Sequence, residues 1–166
     1  MLKAKQTIPR EVHIFPHQFM LPATNAATYL PDTMNSSLSF SERQQEVAYV
    51  RIPHLTSRPT QFRARMLFYT PAFIFTNVEA FMKVSASYQV IPTNVTFLMP
   101  SIGEELFLRT NTKDLVNISS TSNTISPKGY NSNLKDCDLI LRVSRDLTNN
   151  TLDGELRVLK LILEFS

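Results

Sequence analysis

Residues 136–166 read DCDLILRVSRDLTNNTLDGELRVLKLILEFS. Two runs with strand-like alternation, 137–143 and 156–165, flank a polar loop at 145–154. Successive side chains on a strand point to opposite faces, so each run sorts its residues into two sets. In the first, Cys137, Leu139, Leu141 and Val143 alternate with Asp138, Ile140, Arg142 and Ser144. In the second, Leu159, Leu161, Leu163 and Phe165 alternate with Leu156, Val158, Lys160, Ile162 and Glu164. The reading is a β-hairpin whose odd-numbered face lies in a core. The even-numbered face is mixed, with Ile140, Val158 and Ile162 among charged residues. It is expected to meet another subunit or the N-terminal segment.

Working outward, the same period recurs. In 61–69 (QFRARMLFY), Phe62, Ala64, Met66 and Phe68 share a face. In 81–91 (FMKVSASYQVI), Met82, Val84, Ala86, Tyr88 and Val90 share the core face, and Lys83, Ser85, Ser87 and Gln89 share the solvent face. Shorter strands are expected at 12–15, 38–40, 46–52, 73–78, 95–99, 105–109 and 116–119. SERQQE at 41–46 is expected to make one helical turn, and 120–132 a polar loop. No segment sustains a 3.6-residue apolar period over ten residues, which excludes βαβ units. The prediction is all-β, an antiparallel β-sandwich of jelly-roll-like type. Prolines at 9, 16, 22 and 31 argue against a helix in the first third and for an extended N-terminal arm. The division is therefore 1–35 as arm and 36–166 as sandwich.

The chain has 166 residues, 43% of them hydrophobic and 19% charged, with three glycines and ten prolines. A chain of this size buries roughly 70% of its unfolded surface, enough for a core without staples. A net charge of +3, carried by scattered residues, describes a mixed solvated surface rather than a nucleic-acid footprint. One cysteine, Cys137, excludes an intrachain disulfide framework and a Cys-rich zinc site. The start, MLKAKQTIPR, has no apolar h-region, so no secretory leader is expected. No run approaches the roughly 18 apolar residues of a membrane span.

Catalytic chemistry finds little support in the residues. His13 and His17 have ligand spacing only on a helix, and Pro16 lies between them. His54 has no identifiable partner. Glu104 and Glu105 are adjacent on a strand and point to opposite faces, so they cannot flank one bond. Asp136 and Asp138 share a face, but no third oxygen ligand for a hard cation is visible. A G-x-S-x-G elbow and a Gly-rich phosphate loop are both absent. No catalytic residue, metal or cofactor is expected. Tyr49, Tyr69 and Tyr130 remain as exposed-ring candidates for a sugar, although aromatics in β proteins more often serve the core.

The string 139–165 resembles the C-terminal part of a family of small β-sandwich domains in tailed-phage virions. The matching residues are Leu139, Leu141, Val143, Arg145 and Asp146, then Asp153 and Gly154, then 158–165. Ile52 with Pro53 and the alternating aromatics of 62–68 extend the resemblance, which covers roughly residues 40–166. The family has a middle-strand tryptophan that this chain lacks; Phe68 is expected to fill its space. The resemblance implies a non-enzymatic virion protein made in the host cytoplasm. Its expected role is an oligomeric, trimeric capsid decoration (cement) protein binding the major capsid protein. The alternative is a tail-fibre or receptor-binding module recognising a glycan through loops such as 121–134 and 145–154. Expected oligomer or capsid contacts are Phe19, Leu21, Tyr29, Ile140, Val158 and Ile162. Neither nucleic acid nor a membrane is expected as a partner.

Overall fold

The computed structural model describes residues 11–31, 36–41, 44–52, 61–71, 78–90, 104–110, 115–127, 137–148 and 154–165. Ten strands lie among them: β1 (Glu11–Ile14), β2 (Thr28–Leu30), β3 (Ser37–Phe40), β4 (Val47–Ile52), β5 (Phe62–Tyr69), β6 (Val78–Val90), β7 (Glu104–Thr110), β8 (Asn117–Ile118), β9 (Cys137–Asp146) and β10 (Leu156–Phe165). They form two antiparallel sheets. The first has the order β2-β3-β10-β5-β8, with β1 also pairing β10; the second is β4-β9-β6-β7. From β3 onward, the chain changes sheet at every connection except β6–β7. The resulting layers, 3-10-5-8 over 4-9-6-7, have the strand order of a jelly roll.

This topology corrects the reading of the C-terminal stretch. β9 pairs with β4 and β6, and β10 pairs with β1, β3 and β5. The two strands belong to opposite sheets, so they form an arch over the core and not a hairpin. A one-faced apolar pattern fits both arrangements equally well. It says that a face is buried and leaves open whether the other strand lies beside it or across from it.

The core lies between the inner faces of the two sheets. Phe62, Ala64, Met66 and Phe68 of β5 face Met82, Val84, Ala86 and Tyr88 of β6, together with Leu139, Leu141 and Val143 of β9, in one apolar cluster. The period-two expectation for β5 and β6 therefore holds on the core side. The other side of β6 differs: Ser85 and Ser87 are buried, not solvated.

In β10 the alternation changes phase. Val158 pairs with Phe68 and Lys160 with Leu67, which leaves Leu159 as an extra residue in a β-bulge. Before the bulge the even-numbered Leu156 and Val158 point into the core; after it Leu161, Leu163 and Phe165 do. The Phe165 ring meets its cross-strand partner Phe62 edge-on, 5.8 Å between centroids. Leu159 is thus only half-buried, and Val158 is core. Ile140 and Ile162 do lie on outer faces, yet they are 0% and 5% exposed. All three residues, expected as neighbour contacts, are buried within their own chain.

The N-terminal segment is extended and lies along its own sandwich. β1 and β3 share one edge of β10, β3 along residues 156–158 and β1 along 161–164. Pro16–Gln18 forms one 3-10 turn, with Phe15 N–H donating to Gln18 Oε1 at 2.8 Å. The chain then crosses to the second sheet and hydrogen-bonds the free edge of β4. Met20 and Tyr49 exchange both backbone bonds, at 2.7 and 2.9 Å, and Ala27 N–H donates to Val47 O at 3.0 Å. It returns to the first sheet as β2. An open edge strand invites pairing with other chains, and this segment covers one.

The opposite edge of the first sheet is finished by serines. Residues 119–125 run beside β5, where Ser119 and Ser122 N–H groups donate to Met66 and Ala64 carbonyls, both at 2.8 Å. Their hydroxyls accept the Met66 and Ala64 N–H groups at 2.8 and 3.0 Å. Each hydroxyl donates onward to the next residue's carbonyl. The hydroxyl replaces the backbone carbonyl that a regular strand would supply. Part of the stretch expected as a loop is therefore an irregular edge. The expected strand at 95–99, residues 1–10 and the HLTSRP loop at 54–59 lie outside the described residues.

Candidate functional site

The outer face of the second sheet is set by the residues that alternate with the core set. On β4 these are Val47, Tyr49 and Arg51; on β9 they are Asp138, Ile140, Arg142 and Ser144. Registration places Tyr49 beside Arg142, and Arg142 beside Ser85 of β6. A groove of about 410 Å³ has Val47, Tyr49 and Arg142 in its floor. Pro22, Thr24 and Asn25 line one side, where the N-terminal segment bows away between its bonds to β4; Gln44 and Gln45 complete the lining.

Asn25 adopts φ 52°, in the left-handed region that asparagine tolerates better than most residues. That turn aims its carbonyl at Val47 N–H, at 2.8 Å, and so fixes this wall to the sheet. Gln44 Nε2 donates to the buried Glu46 carboxylate at 3.3 Å. The lining therefore holds neutral amides, hydroxyls, one ring and one guanidinium. Such a set can hydrogen-bond a polar ligand and stack against it. A general acid–base pair cannot be made from it.

A second cleft, of about 420 Å³, lies between the arch and β3, and Glu46 and Glu155 contribute to it. Both carboxylates are engaged. Glu46 accepts Ser41 N–H at 2.7 Å. Glu155 accepts Arg157 at 2.6 Å and also the Ser39 hydroxyl. Burial alone would raise the Glu155 pKa, but the bonds from Arg157 and Ser39 outweigh it and hold the carboxyl below its usual range. A general acid at neutral pH needs the opposite shift.

The arch closes over Arg145, whose side chain is fully buried. Its guanidinium donates to Phe40 O at 3.2 Å and Gly154 O at 2.8 Å, joining β3 and the far end of the arch to β9. Next to it, Asp146 pairs with Lys83 at 2.8 Å and accepts Thr148 N–H at 2.9 Å. These bonds hold its pKa at about 2. Arg145 and Asp146 are structural ties.

The sequence-based site residues are dispersed. Leu21 and Tyr29 are exposed and Phe19 packs against the core. His13 pairs with Glu11 at 3.1 Å on β1, while the His17 ring stacks on Phe15. Asp138 pairs with Arg51. Among the described residues, no group of three or more potential metal ligands occurs, and no helix is long and apolar enough to cross a membrane. Sequence reading missed the groove because its residues come from three distant stretches. The available signal was the pair of outward positions, Tyr49 and Arg142.

No family model and no curated protein matches the sequence. The solved structures similar to it at low level include two carbohydrate-binding modules. One is a family 11 carbohydrate-binding module from Clostridium thermocellum in complex with a β-1,3-1,4-mixed-linked tetrasaccharide, at TM-score 0.38 and 9% identity, covering 100% of this chain and 95% of that one. The other is a family 11 carbohydrate-binding module of a cellulosomal cellulase of the same organism, at TM-score 0.37 and 10% identity, covering 100% and 94%. At these values the likeness carries no argument about ligand.

Proposed function

We propose that this chain is a non-enzymatic β-sandwich module of a tailed-phage virion that recognises a cell-surface glycan. The groove over Tyr49 and Arg142 is the observation that carries glycan recognition. It offers planar amide donors and acceptors, hydroxyls and a ring on a rigid sheet, the chemistry that hydroxylated ligands require. The virion assignment rests on the resemblance of residues 40–166. A glycan array probed with the purified protein tests the reading. Binding that is weakened by Tyr49→Ala supports it, and no binding at high micromolar concentration refutes it.

A second reading, a trimeric decoration protein on the capsid shell, is favoured by a different surface. Leu115, Val116 and Ile118 are 53%, 50% and 51% exposed at the outer edge of the first sheet. Adjacent exposed apolar side chains of this kind suit a protein contact. Copy number in purified particles separates the two: hundreds of copies indicate the shell, a few dozen or fewer the tail.

A further inference from the structure

Among the described residues, several cations are held by carboxylates, and Arg142 is not. Arg51 pairs with Asp138, Arg65 with Glu11 and Glu164, Arg157 with Glu155 and Lys83 with Asp146. Arg142 sits half-buried on β9, a strand with neighbours on both sides. Among the described residues it has no carboxylate partner, and the groove lining contains no acidic side chain. A guanidinium held in this way keeps its fork of donors available in a partly desolvated setting, where an anion gains most from it. Its cross-strand neighbours are the Tyr49 ring on one side and Ser85 on the other. The amides of Gln44, Gln45 and Asn25 lie around it at the groove.

We infer that the groove is a site for an acidic sugar, with Arg142 receiving the carboxylate, Tyr49 facing the apolar side of the ring and the amides bonding its hydroxyls. This inference rests on the glycan reading above and adds the charge of the ligand. A neutral sugar would leave the guanidinium without a counter-charge. An anion without hydroxyls would leave the amides unused. The strained turn at Asn25, tied to Val47, gives the amide wall a fixed position before the ligand arrives.

The test is calorimetric titration of the intact protein with hexagalacturonate and sialyllactose, against their uncharged counterparts, the galacturonate methyl ester and lactose. The expected result is binding of at least one acidic member about tenfold tighter than its neutral counterpart. Arg142→Gln is expected to abolish that difference and Arg142→Lys to keep part of it. If Arg142→Gln fails to fold, the wild-type preference must still weaken as salt rises through a few tenths molar. Equal binding of charged and neutral members overturns the inference and leaves glycan recognition standing. Binding of no sugar overturns both. Inorganic phosphate competing as well as the acidic sugar also overturns the inference, because the site would then be a simple anion site.

Discussion

Replacing Arg145 by alanine should unfold this molecule more readily than any comparable surface change. The side chain is fully buried where the arch from β9 to β10 closes over β3. Its bonds to Phe40 O and Gly154 O tie three segments of the chain. Hydrogen bonds to charged groups contribute roughly 1.5–3 kcal/mol each. The alanine variant also leaves two inward carbonyls short of a donor and a cavity where the stem was packed. Relief of the buried charge offsets part of this. The expected net loss is about 3 kcal/mol, a large share of the roughly 5–15 kcal/mol that holds a domain together. With a urea m-value of about 2 kcal/mol/M, the midpoint should fall by about 1.5 M. Arg145→Met keeps the apolar stem and removes the charge, so its loss should be clearly smaller. Urea titration followed by circular dichroism measures both. A loss under about 1 kcal/mol for Arg145→Ala would refute the account of this residue as the tie of the arch.

Two further outcomes follow from other contacts. The Asp146 carboxyl, at about 2 against an ordinary 3.8, is lowered on folding. A lowered group stabilises the fold above its unfolded pKa and loses that effect as pH falls through its folded value. Stability should therefore drop between about pH 5 and pH 2, by roughly 1–2 kcal/mol from this group after screening, and Asp146→Asn should remove that part of the acid dependence. Acid titration of unfolding free energy in both proteins checks it; identical profiles would count against it. At the serine-finished edge, Ser119→Ala and Ser122→Ala each leave a buried β5 N–H without its acceptor, at a cost of about 1–2 kcal/mol. Faster hydrogen exchange at the Met66 amide in the first variant and the Ala64 amide in the second is the expected readout, and unchanged exchange would contradict the bonding described.

Fold class was legible because it depends on which side chains share a face. Phe62, Ala64, Met66 and Phe68 announce a strand buried on one side, and they are. Pairing is a different quantity. Nothing in the alternation of Leu139–Leu141–Val143 says whether its partner stands beside it or across the core, and here the next strand stands across. The bulge at Leu159 was hidden for a related reason. Leu156, Val158, Leu159 and Leu161 are all apolar, so the sequence does not mark where the phase slips. Arg145 looked like the start of a solvated loop, since its burial draws on carbonyls from residues 40 and 154, far from it in sequence or across the arch. The groove needed residues 22–25, 44–49 and 142 to be brought together, which sheet pairing alone accomplishes.

The order of synthesis has a consequence for this molecule. β10 is the last of the ten strands to leave the ribosome, yet it lies inside the first sheet, with β5 on one side and β1 and β3 on the other. Until residues 156–165 emerge, those three strands have no common partner and the first sheet stays open between them. The sheet must therefore form after β10 has been made, through contacts between strands far apart in sequence. Such long closures fold slowly and leave unpaired edges exposed meanwhile. A nascent chain stalled before residue 156 would hold the second sheet's strands and no complete sandwich, a natural target for chaperones in the cell that makes it.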